Sequence, residues 1–116
     1  MTLCLALNYG SRQEIVAACR RLALEYRDGT RTLEQINETS FDEALDTGAM
    51  PPLDLVVRTA GEYRLSNFLL WQFSYAELFV TEVCWPDFRQ EQLDDALRSF
   101  AARERRFGGL PASGDA

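Results

Sequence analysis

The fold is decided by residues 54–72, which read DLVVRTAGEYRLSNFLLWQ. Together with Leu53, the first residues of this stretch form a short apolar run at 53–57, of the kind found in buried strands. A polar, glycine-containing loop follows at 58–65, and Ser66 or Asn67 is then predicted to cap a helix over the next apolar residues. The order of strand, loop and helix is typical of folds in which strands and helices alternate.

Two further apolar runs predict strands on either side of this segment. Residues 2–7, TLCLAL, form a nearly continuous apolar run before turn residues at 8–10, which fits a strand buried on both faces. Residues 78–83, LFVTEV, are rich in β-forming residues and predict a third strand. The predicted fold class is therefore α/β, a parallel sheet with helices on both faces.

Capping patterns indicate where the helices lie. Residues 11–14, SRQE, form a capping box, so a helix is expected to start there and to end at Gly29. The same pattern at 32–35 and at 40–43 predicts two short helical segments. Asp87 is expected to cap a long final helix. The apolar stripe of that helix consists of Phe88, Leu93, Ala96, Leu97, Phe100 and Ala101.

Composition and charge limit the function. The chain has 116 residues, a net charge of −6 and no histidine. The negative charge argues against a general nucleic-acid binder. The absence of histidine excludes histidine-based catalytic and metal sites within the chain. All the basic residues are arginine, and the planar guanidinium suits phosphate. Any metal must bind through oxygen or thiolate.

The cysteines indicate a reducing compartment. Cys4, Cys19 and Cys84 lie in apolar surroundings without a CxxC spacing, so we expect reduced core residues in a cytoplasmic protein. The apolar runs are too short to span a bilayer, and the residues after Met1 lack the basic start of a signal peptide.

A candidate binding site follows the second predicted strand, since ligands of parallel α/β sheets bind beyond the carboxyl ends of strands. Arg58 ends that strand, Arg64 follows in the loop, and Ser66 opens the predicted helix. Two guanidinium groups, a hydroxyl and a helix N-terminus together describe a phosphate or diphosphate cradle. From spacing alone, it is equally plausible that the arginines pair with Glu62 and Asp54 on a solvated loop.

Glu77 is a second candidate, because it lies between an aromatic segment and an apolar strand. A carboxylate in such surroundings is either paired with an arginine or bound to a metal, and the ion pair is favoured on general grounds. The aromatic residues nearby either fill the core or line a tunnel for a lipid. These are Phe68, Trp71, Phe73, Tyr75 and Phe79.

The order of these motifs resembles the cis-prenyltransferase family, and the undecaprenyl diphosphate synthases of bacteria in particular. Residues 54–72 resemble the signature with which that family binds isopentenyl diphosphate. The similarity continues through YAEL at 75–78 and WPDF at 85–88, and it closes with RERRFGG at 103–109. Upstream, ALNYGSR at 6–12 resembles the strand and turn that precede the signature in the family.

The resemblance implies a domain assignment and an activity. Residues 1–109 would be the C-terminal part of a cis-prenyltransferase domain, and 110–116 a flexible tail. The family condenses isopentenyl diphosphate with an allylic polyprenyl diphosphate, with Mg²⁺ as its cofactor. Family members form homodimers, and their lipid product implies peripheral contact with a membrane.

The resemblance also assigns roles to residues. Arg58, Arg64, Leu65 and Ser66 would bind the diphosphate of isopentenyl diphosphate, and Glu77 would be a magnesium ligand. Supporting roles would fall to three further residues. These are Glu62, which would orient the arginines, Asn67, and Arg106, which matches an element that reaches toward the partner's active site in family dimers.

The chain departs from the family pattern in three places. The family commonly has two glycines where this chain has Ala60 and Gly61, and it often has a glycine where Ser11 stands. The segment that carries the family's aspartate and binds the allylic diphosphate has no match here. We therefore expect the chain to begin at the fourth strand of a six-stranded sheet and to be inactive alone. The alternative function is that of a truncated, non-catalytic subunit or inactive fragment that associates with a full-length enzyme.

Overall fold

The computed structural model describes residues 1–103, and the chain divides into two units. The first, here called the helical unit, comprises Met1–Pro52 and Leu65–Gln72. The second, here called the sheet unit, comprises Leu53–Arg64 and the described residues from Phe73 onward. The chain therefore passes from the sheet unit to the helical unit and back between Arg64 and Phe73.

The helical unit is built on α1, which spans Ser11–Arg27. Its start and its end at Gly29, which has φ 77°, confirm the sequence prediction. The predicted capping box is wrong, because Gly10 is the N-cap and no side chain of α1 caps it. The buried side of α1 carries two apolar residues, Ala18 and Leu22, which are 1% and 3% exposed.

Two short helical elements follow, as the sequence predicts. Leu33–Gln35 form a 3₁₀ helix behind the capping box at Thr32, and α2 spans Glu38–Ala44. The expected cap of the second element at Ser40 is wrong by three residues, because Asn37 caps α2 and its side chain accepts from the Ser40 N–H. α2 packs against α1.

Residues 2–7 are not a strand, and this corrects the sequence prediction. Leu3, Leu5 and Leu7 are 80%, 70% and 80% exposed, and no strand among residues 1–103 pairs with this segment. A strand needs a neighbour for its backbone N–H and C=O groups. The apolar run therefore stays exposed and outside any strand here, although its composition is that of a buried strand.

The sheet unit contains two parallel strands, β1 at Leu55–Arg58 and β2 at Glu77–Val80. Parallel pairing confirms the α/β prediction, although two strands form within residues 1–103 where three were expected. The third predicted strand ends at Val80, three residues early. All eight strand residues are half-buried.

The last helix, α3, spans Gln90–Ala102 and packs against β2. Arg89 is its N-cap, so the expected cap at Asp87 is wrong: that residue ends a 3₁₀ helix that contains Pro86. The predicted stripe is only partly buried, because Ala96 is 0% exposed whereas Leu93 and Leu97 are 39% and 49% exposed.

Residues 66–73 do not form the predicted helix. Ser66, Asn67 and Leu69 have φ of 51°, 59° and 48°, which is the left-handed region that an α-helix of L-residues cannot use. Turns replace the helix, and a 3₁₀ helix at Gln72–Tyr75 leads into β2.

The cysteine prediction is half right. Cys4, Cys19 and Cys84 are free thiols, as expected, but all three are exposed and none belongs to the core. Among the described residues, no helix is both long enough and apolar enough to cross a membrane.

Candidate functional site

The loop after β1 is tied down by its own backbone. The Ala60 N–H donates to Val83 O at 3.0 Å, and the Gly61 N–H donates to Thr81 O at 2.8 Å. Both residues are left-handed, with φ of 57° and 67°. Because the backbone beyond β2 accepts both bonds, the start of the loop is fixed at the carboxyl end of the sheet, where ligands of parallel sheets bind.

Ala60 takes a conformation that glycine adopts without cost. Gly61 could not be replaced as easily, because a Cβ there would lie 2.6 Å from Glu82 Oε2. The family's two glycines thus correspond to two consecutive left-handed residues here, and Ala60 adopts that conformation despite its Cβ.

The structure places the two arginines at the two ends of this loop. Arg58 is the last residue of β1, opposite Val80, and is half-buried. Arg64 is exposed at the end of the loop, as is Glu62 between them. Their roles toward a diphosphate, and the role of Glu62 toward the arginines, stay predictions.

Glu77 forms an ion pair, the alternative favoured by general arguments. Arg103 Nη1 donates to Glu77 Oε2 at 2.9 Å and to Leu78 O at 3.3 Å. Glu77 is opposite Leu55 at the amino end of the ladder. Arg58 is three residues further along β1, roughly 10 Å at the usual rise per residue, and its side chain leaves the opposite face of the sheet. The strands thus do not bring Glu77 and Arg58 together.

Within the helical unit, Asn67 joins the 65–72 segment to the start of α1. Asn67 O accepts from the Ser11 N–H at 2.8 Å, and Asn67 Oδ1 accepts from the Arg12 N–H at 2.8 Å. Asn67 Nδ2 donates to Gln13 Oε1 at 3.1 Å. Leu65 and Ser66 precede this contact, and the Phe68 N–H closes a turn on Leu65 O at 3.1 Å.

Ser11 also bonds to the 65–72 segment. It is 0% exposed, and its hydroxyl oxygen accepts from the Leu70 N–H at 2.9 Å. Sequence reasoning assigned this hydroxyl to the cap of its own helix. The sequence signal for the observed contact is weak, since the two residues are 59 positions apart.

Glu14 is a buried carboxylate that sequence reasoning assigned only to a capping box. It is 6% exposed and accepts from the Tyr9 hydroxyl, from the Asp46 N–H at 2.9 Å and from Gln72 Nε2 at 3.3 Å. Gln72 Nε2 also donates to Thr47 Oγ1 at 3.0 Å. Burial raises the pKa of Tyr9 above its ordinary value of 10.0, and the hydrogen bond to Glu14 raises it further.

The sequence also matches a known protein family over most of its length. A family model described as "Putative undecaprenyl diphosphate synthase" matches residues 1–108. The chain belongs to the cis-prenyltransferase family. The assignment covers the loop after β1, Glu77 and the Arg106 region, although Arg106 lies outside the described residues.

Named cis-prenyltransferases are similar throughout the chain. An isoprenyl transferase of Rhodopirellula baltica is 51% identical over 108 residues, which are 93% of this chain and 44% of that protein. The ditrans,polycis-undecaprenyl-diphosphate synthase of Escherichia coli K12, specific for (2E,6E)-farnesyl diphosphate, is 49% identical over 94% of this chain and 43% of that protein. The chain thus spans less than half the length of the curated relatives it matches.

Solved cis-prenyltransferase structures share the fold. The lavandulyl diphosphate synthase of Lavandula x intermedia, in complex with dimethylallyl diphosphate, superposes with a TM-score of 0.84 at 41% identity. The match covers 90% of this chain and 45% of that one. A probable undecaprenyl diphosphate synthase of Campylobacter jejuni gives a TM-score of 0.70 at 38% identity, over 90% of this chain and 46% of that one.

Proposed function

We propose that this chain binds the diphosphate of isopentenyl diphosphate for a cis-prenyltransferase reaction. The observation that carries the proposal is the loop between Arg58 and Arg64, whose start is fixed at the carboxyl end of the sheet by two backbone hydrogen bonds. Leu65 and Ser66 follow directly in the chain and would complete the binding segment. Family membership supplies the class of substrate.

Guanidinium groups suit this task for a physical reason. A diphosphate presents several charged oxygens, and each arginine can donate two parallel hydrogen bonds to a pair of them. Two arginines at the ends of a loop whose start is fixed would hold such a group in one orientation, whereas flexible lysines would supply point charges. Ser66 is exposed, and its hydroxyl would add a further donor.

The reaction of the family needs this fixed orientation. In the condensation, the carbon–oxygen bond of the allylic diphosphate breaks and the diphosphate leaves with the electron pair. The double bond of isopentenyl diphosphate forms the new carbon–carbon bond, and a proton is then lost. Holding the diphosphate of isopentenyl diphosphate keeps its double bond aimed at the allylic carbon, which lowers the entropic part of the barrier.

Magnesium is the cofactor that the family implies, and Glu77 is the candidate ligand for it. Mg²⁺ commonly takes one or two carboxylates and completes its shell with phosphate and water oxygens. Glu77 fits that chemistry as a single ligand. Residues 1–103 contain no cluster of three or more acidic or cysteine side chains that could hold a metal alone. When bound, the ion would supply positive charge for a diphosphate, and Glu77 would have to give up its ion pair with Arg103 to hold it. Since the strands do not bring Glu77 and Arg58 together, an ion held by Glu77 would act away from Arg58.

Association with a second subunit stays a prediction, either as a homodimer or with a full-length relative. The exposure of Leu93 and Leu97 on α3 supports it, because a partner would remove this apolar surface from water. The alternative of a non-catalytic subunit leads to the same expectation.

Titration calorimetry with isopentenyl diphosphate tests the proposal. Arg58→Ala and Arg64→Ala should each weaken binding by roughly 1.5–3 kcal/mol, the range for hydrogen bonds to charged groups. Lysine at either position should restore little of the loss, because the planar fork is missing.

Arg98→Ala is the matched control, since Arg98 is an exposed arginine of α3 that pairs with Asp95. It should leave the affinity unchanged. If Arg64→Ala also leaves the affinity unchanged, Arg64 belongs to a solvated loop and the proposal fails at that residue.

A further inference from the structure

The start of α1 has an unusual cap. An α-helix leaves its first backbone N–H groups without partners inside the helix, and a side chain of the N-cap residue commonly accepts one of them. The N-cap of α1 is Gly10, which has no side chain. The first two N–H groups, of Ser11 and Arg12, instead donate to the backbone and side-chain oxygens of Asn67, both at 2.8 Å.

The capping residue comes from the segment that follows Arg64. Asn67 is 55 positions from Arg12 in the sequence, and it directly follows Ser66, the hydroxyl proposed to bind diphosphate. The contact therefore joins α1 to the 65–72 segment, which contains Ser66. Ser11 adds a second connection, since its buried hydroxyl accepts from the Leu70 N–H at 2.9 Å.

The segment needs these connections because its backbone is strained. Ser66, Asn67 and Leu69 are all left-handed, and residues with a Cβ avoid that region unless their surroundings impose it. The bonds from Ser11 and Arg12 reach Asn67, directly after Ser66, and the bond from the Leu70 N–H lies directly after Leu69.

We propose that Asn67 is a positioning residue, which caps α1 from outside the helix and thereby fixes Ser66 in the conformation that binds diphosphate. The proposal deepens the proposed function and rests on it for the identity of the ligand. Asparagine is well suited, because its short amide tolerates left-handed φ, accepts from Arg12 and donates to Gln13.

Gly10 has a place in the same arrangement. A Cβ added to Gly10 would collide first with the side-chain oxygen of Gln13 and would lie 3.0 Å from Asn67 Nδ2, closer than most real Cβ contacts. Glycine at the N-cap thus leaves room for the amide that substitutes for its missing side chain.

Three variants of the full chain separate the contributions of Asn67. Asn67→Gly keeps the left-handed backbone at no cost but removes the cap. Asn67→Asp keeps the acceptor for the Arg12 N–H, adds a favourable charge at the helix N-terminus and loses only the bond to Gln13. Asn37→Gly is the matched control, because Asn37 caps α2 with the same chemistry.

Two measurements are made on each variant, amide hydrogen exchange by NMR and calorimetric affinity for isopentenyl diphosphate. Asn67→Gly should accelerate exchange at Ser11, Arg12 and Leu70 and weaken binding about tenfold or more, as expected when a bond between a substrate and a charged partner is misplaced. Asn67→Asp should stay within about threefold of the parent affinity. Asn37→Gly should change exchange in α2 and leave the affinity unchanged.

The outcomes separate this inference from the proposed function. Unchanged exchange at Ser11 and Arg12 in Asn67→Gly overturns the cap, whether or not a ligand binds. Faster exchange with an unchanged affinity overturns the positioning role. If the parent chain does not bind isopentenyl diphosphate, the proposed function fails, and the exchange at Leu70 still decides whether Asn67 fixes the segment.

Discussion

The helical unit and the sheet unit are stabilised in different ways. Six of the seven buried residues among those described belong to the helical unit, and three of these six, Ser11, Glu14 and Ser40, are polar. The sheet unit has one buried residue, Ala96, and otherwise relies on half-buried strands and backbone hydrogen bonds.

The difference shows where each unit is sensitive to substitution. A hydrogen bond offsets the cost of removing a buried polar group from water, and this offset is lost when the partner is removed. The stability of the helical unit therefore depends on a few side chains. Backbone hydrogen bonds survive most side-chain changes, so the sheet unit depends on residues whose backbone conformation is demanding. The three predictions below test this contrast.

The largest effect is expected in the helical unit, at Glu14. Glu14→Ala removes the acceptor for Tyr9, the Asp46 N–H and Gln72 Nε2. The free energy of unfolding should fall on the order of 3 kcal/mol, because the Tyr9 hydroxyl and the Asp46 N–H lose this buried acceptor, while Gln72 Nε2 keeps only Thr47 Oγ1. Urea denaturation measures the loss. Glu14→Gln, which keeps one carbonyl oxygen, should lose less.

Glu34 supplies the control for this experiment, since it is exposed. Glu34→Ala should change stability by no more than about 0.5 kcal/mol. Equal losses for Glu14→Ala and Glu34→Ala would show that the polar network does not stabilise the helical unit.

A smaller effect is expected in the sheet unit, at Gly61. Gly61→Ala should cost about 1–2 kcal/mol, because φ is 67° and the new methyl group meets the Glu82 carboxylate. Ala60→Gly should be neutral or stabilising, since φ at Ala60 is already left-handed at 57°. Both changes are followed by urea denaturation.

Gly29→Ala isolates the two causes. Gly29 has φ 77°, but nothing lies within 4 Å of a Cβ added there, so its variant carries backbone strain alone. Gly61→Ala should therefore be the more destabilising of the two. The opposite order would contradict the close approach of Glu82.

The smallest effect concerns pH and Tyr9. Burial and the hydrogen bond to Glu14 raise the pKa of Tyr9 in the folded chain above 10.0, so the folded state holds this proton more tightly than the unfolded state. The resulting contribution to stability is present below about pH 10 and is lost as the pH rises through the folded pKa. The thermal midpoint of the parent should thus fall more steeply above pH 10 than that of Tyr9→Phe.

Tyr63→Phe controls for the other tyrosines, because Tyr63 is 73% exposed. Its midpoint should follow the parent's dependence on pH. Parallel curves for Tyr9→Phe and the parent would contradict the pKa shift.

Periodic and locally punctuated segments could be predicted from the sequence. α1, its end at Gly29 and the parallel pairing of β1 with β2 follow from helical spacing, a stop signal and apolar runs. The cap of α3 is displaced from Asp87 by two residues, to Arg89, because Pro86 supports a 3₁₀ helix first. Termini are decided by individual hydrogen bonds that composition does not reveal.

Segments whose conformation depends on distant partners could not be predicted. Residues 66–73 have the composition of a helix, yet Ser66, Asn67 and Leu69 are left-handed, and Asn67 bonds to Ser11 and Arg12 instead. Residues 2–7 have the composition of a strand, yet no strand among the described residues pairs with them. Local propensity fails in both places because tertiary contacts, or their absence, decide the outcome.

The candidate site was predictable in its position and less so in its internal contacts. That Arg58 ends a strand and Arg64 follows in a loop is visible in the sequence. That Glu77 would pair with an arginine follows from burial, but the identity of Arg103 depends on how α3 packs against β2. Asn67 received only a supporting role, because its contact with α1 spans 55 positions.

The exposure of the cysteines makes the chain chemically addressable. Cys4 and Cys19 lie in the helical unit and Cys84 in the sheet unit, and all three are exposed. Lysine is absent, so amine-reactive reagents find no side chain to modify, and the arginines of the candidate site remain intact. Fluorophores on Cys19 and Cys84, with serine at position 4, would therefore report the distance between the units by energy transfer. The same thiols can cross-link molecules through disulfides under oxidising storage.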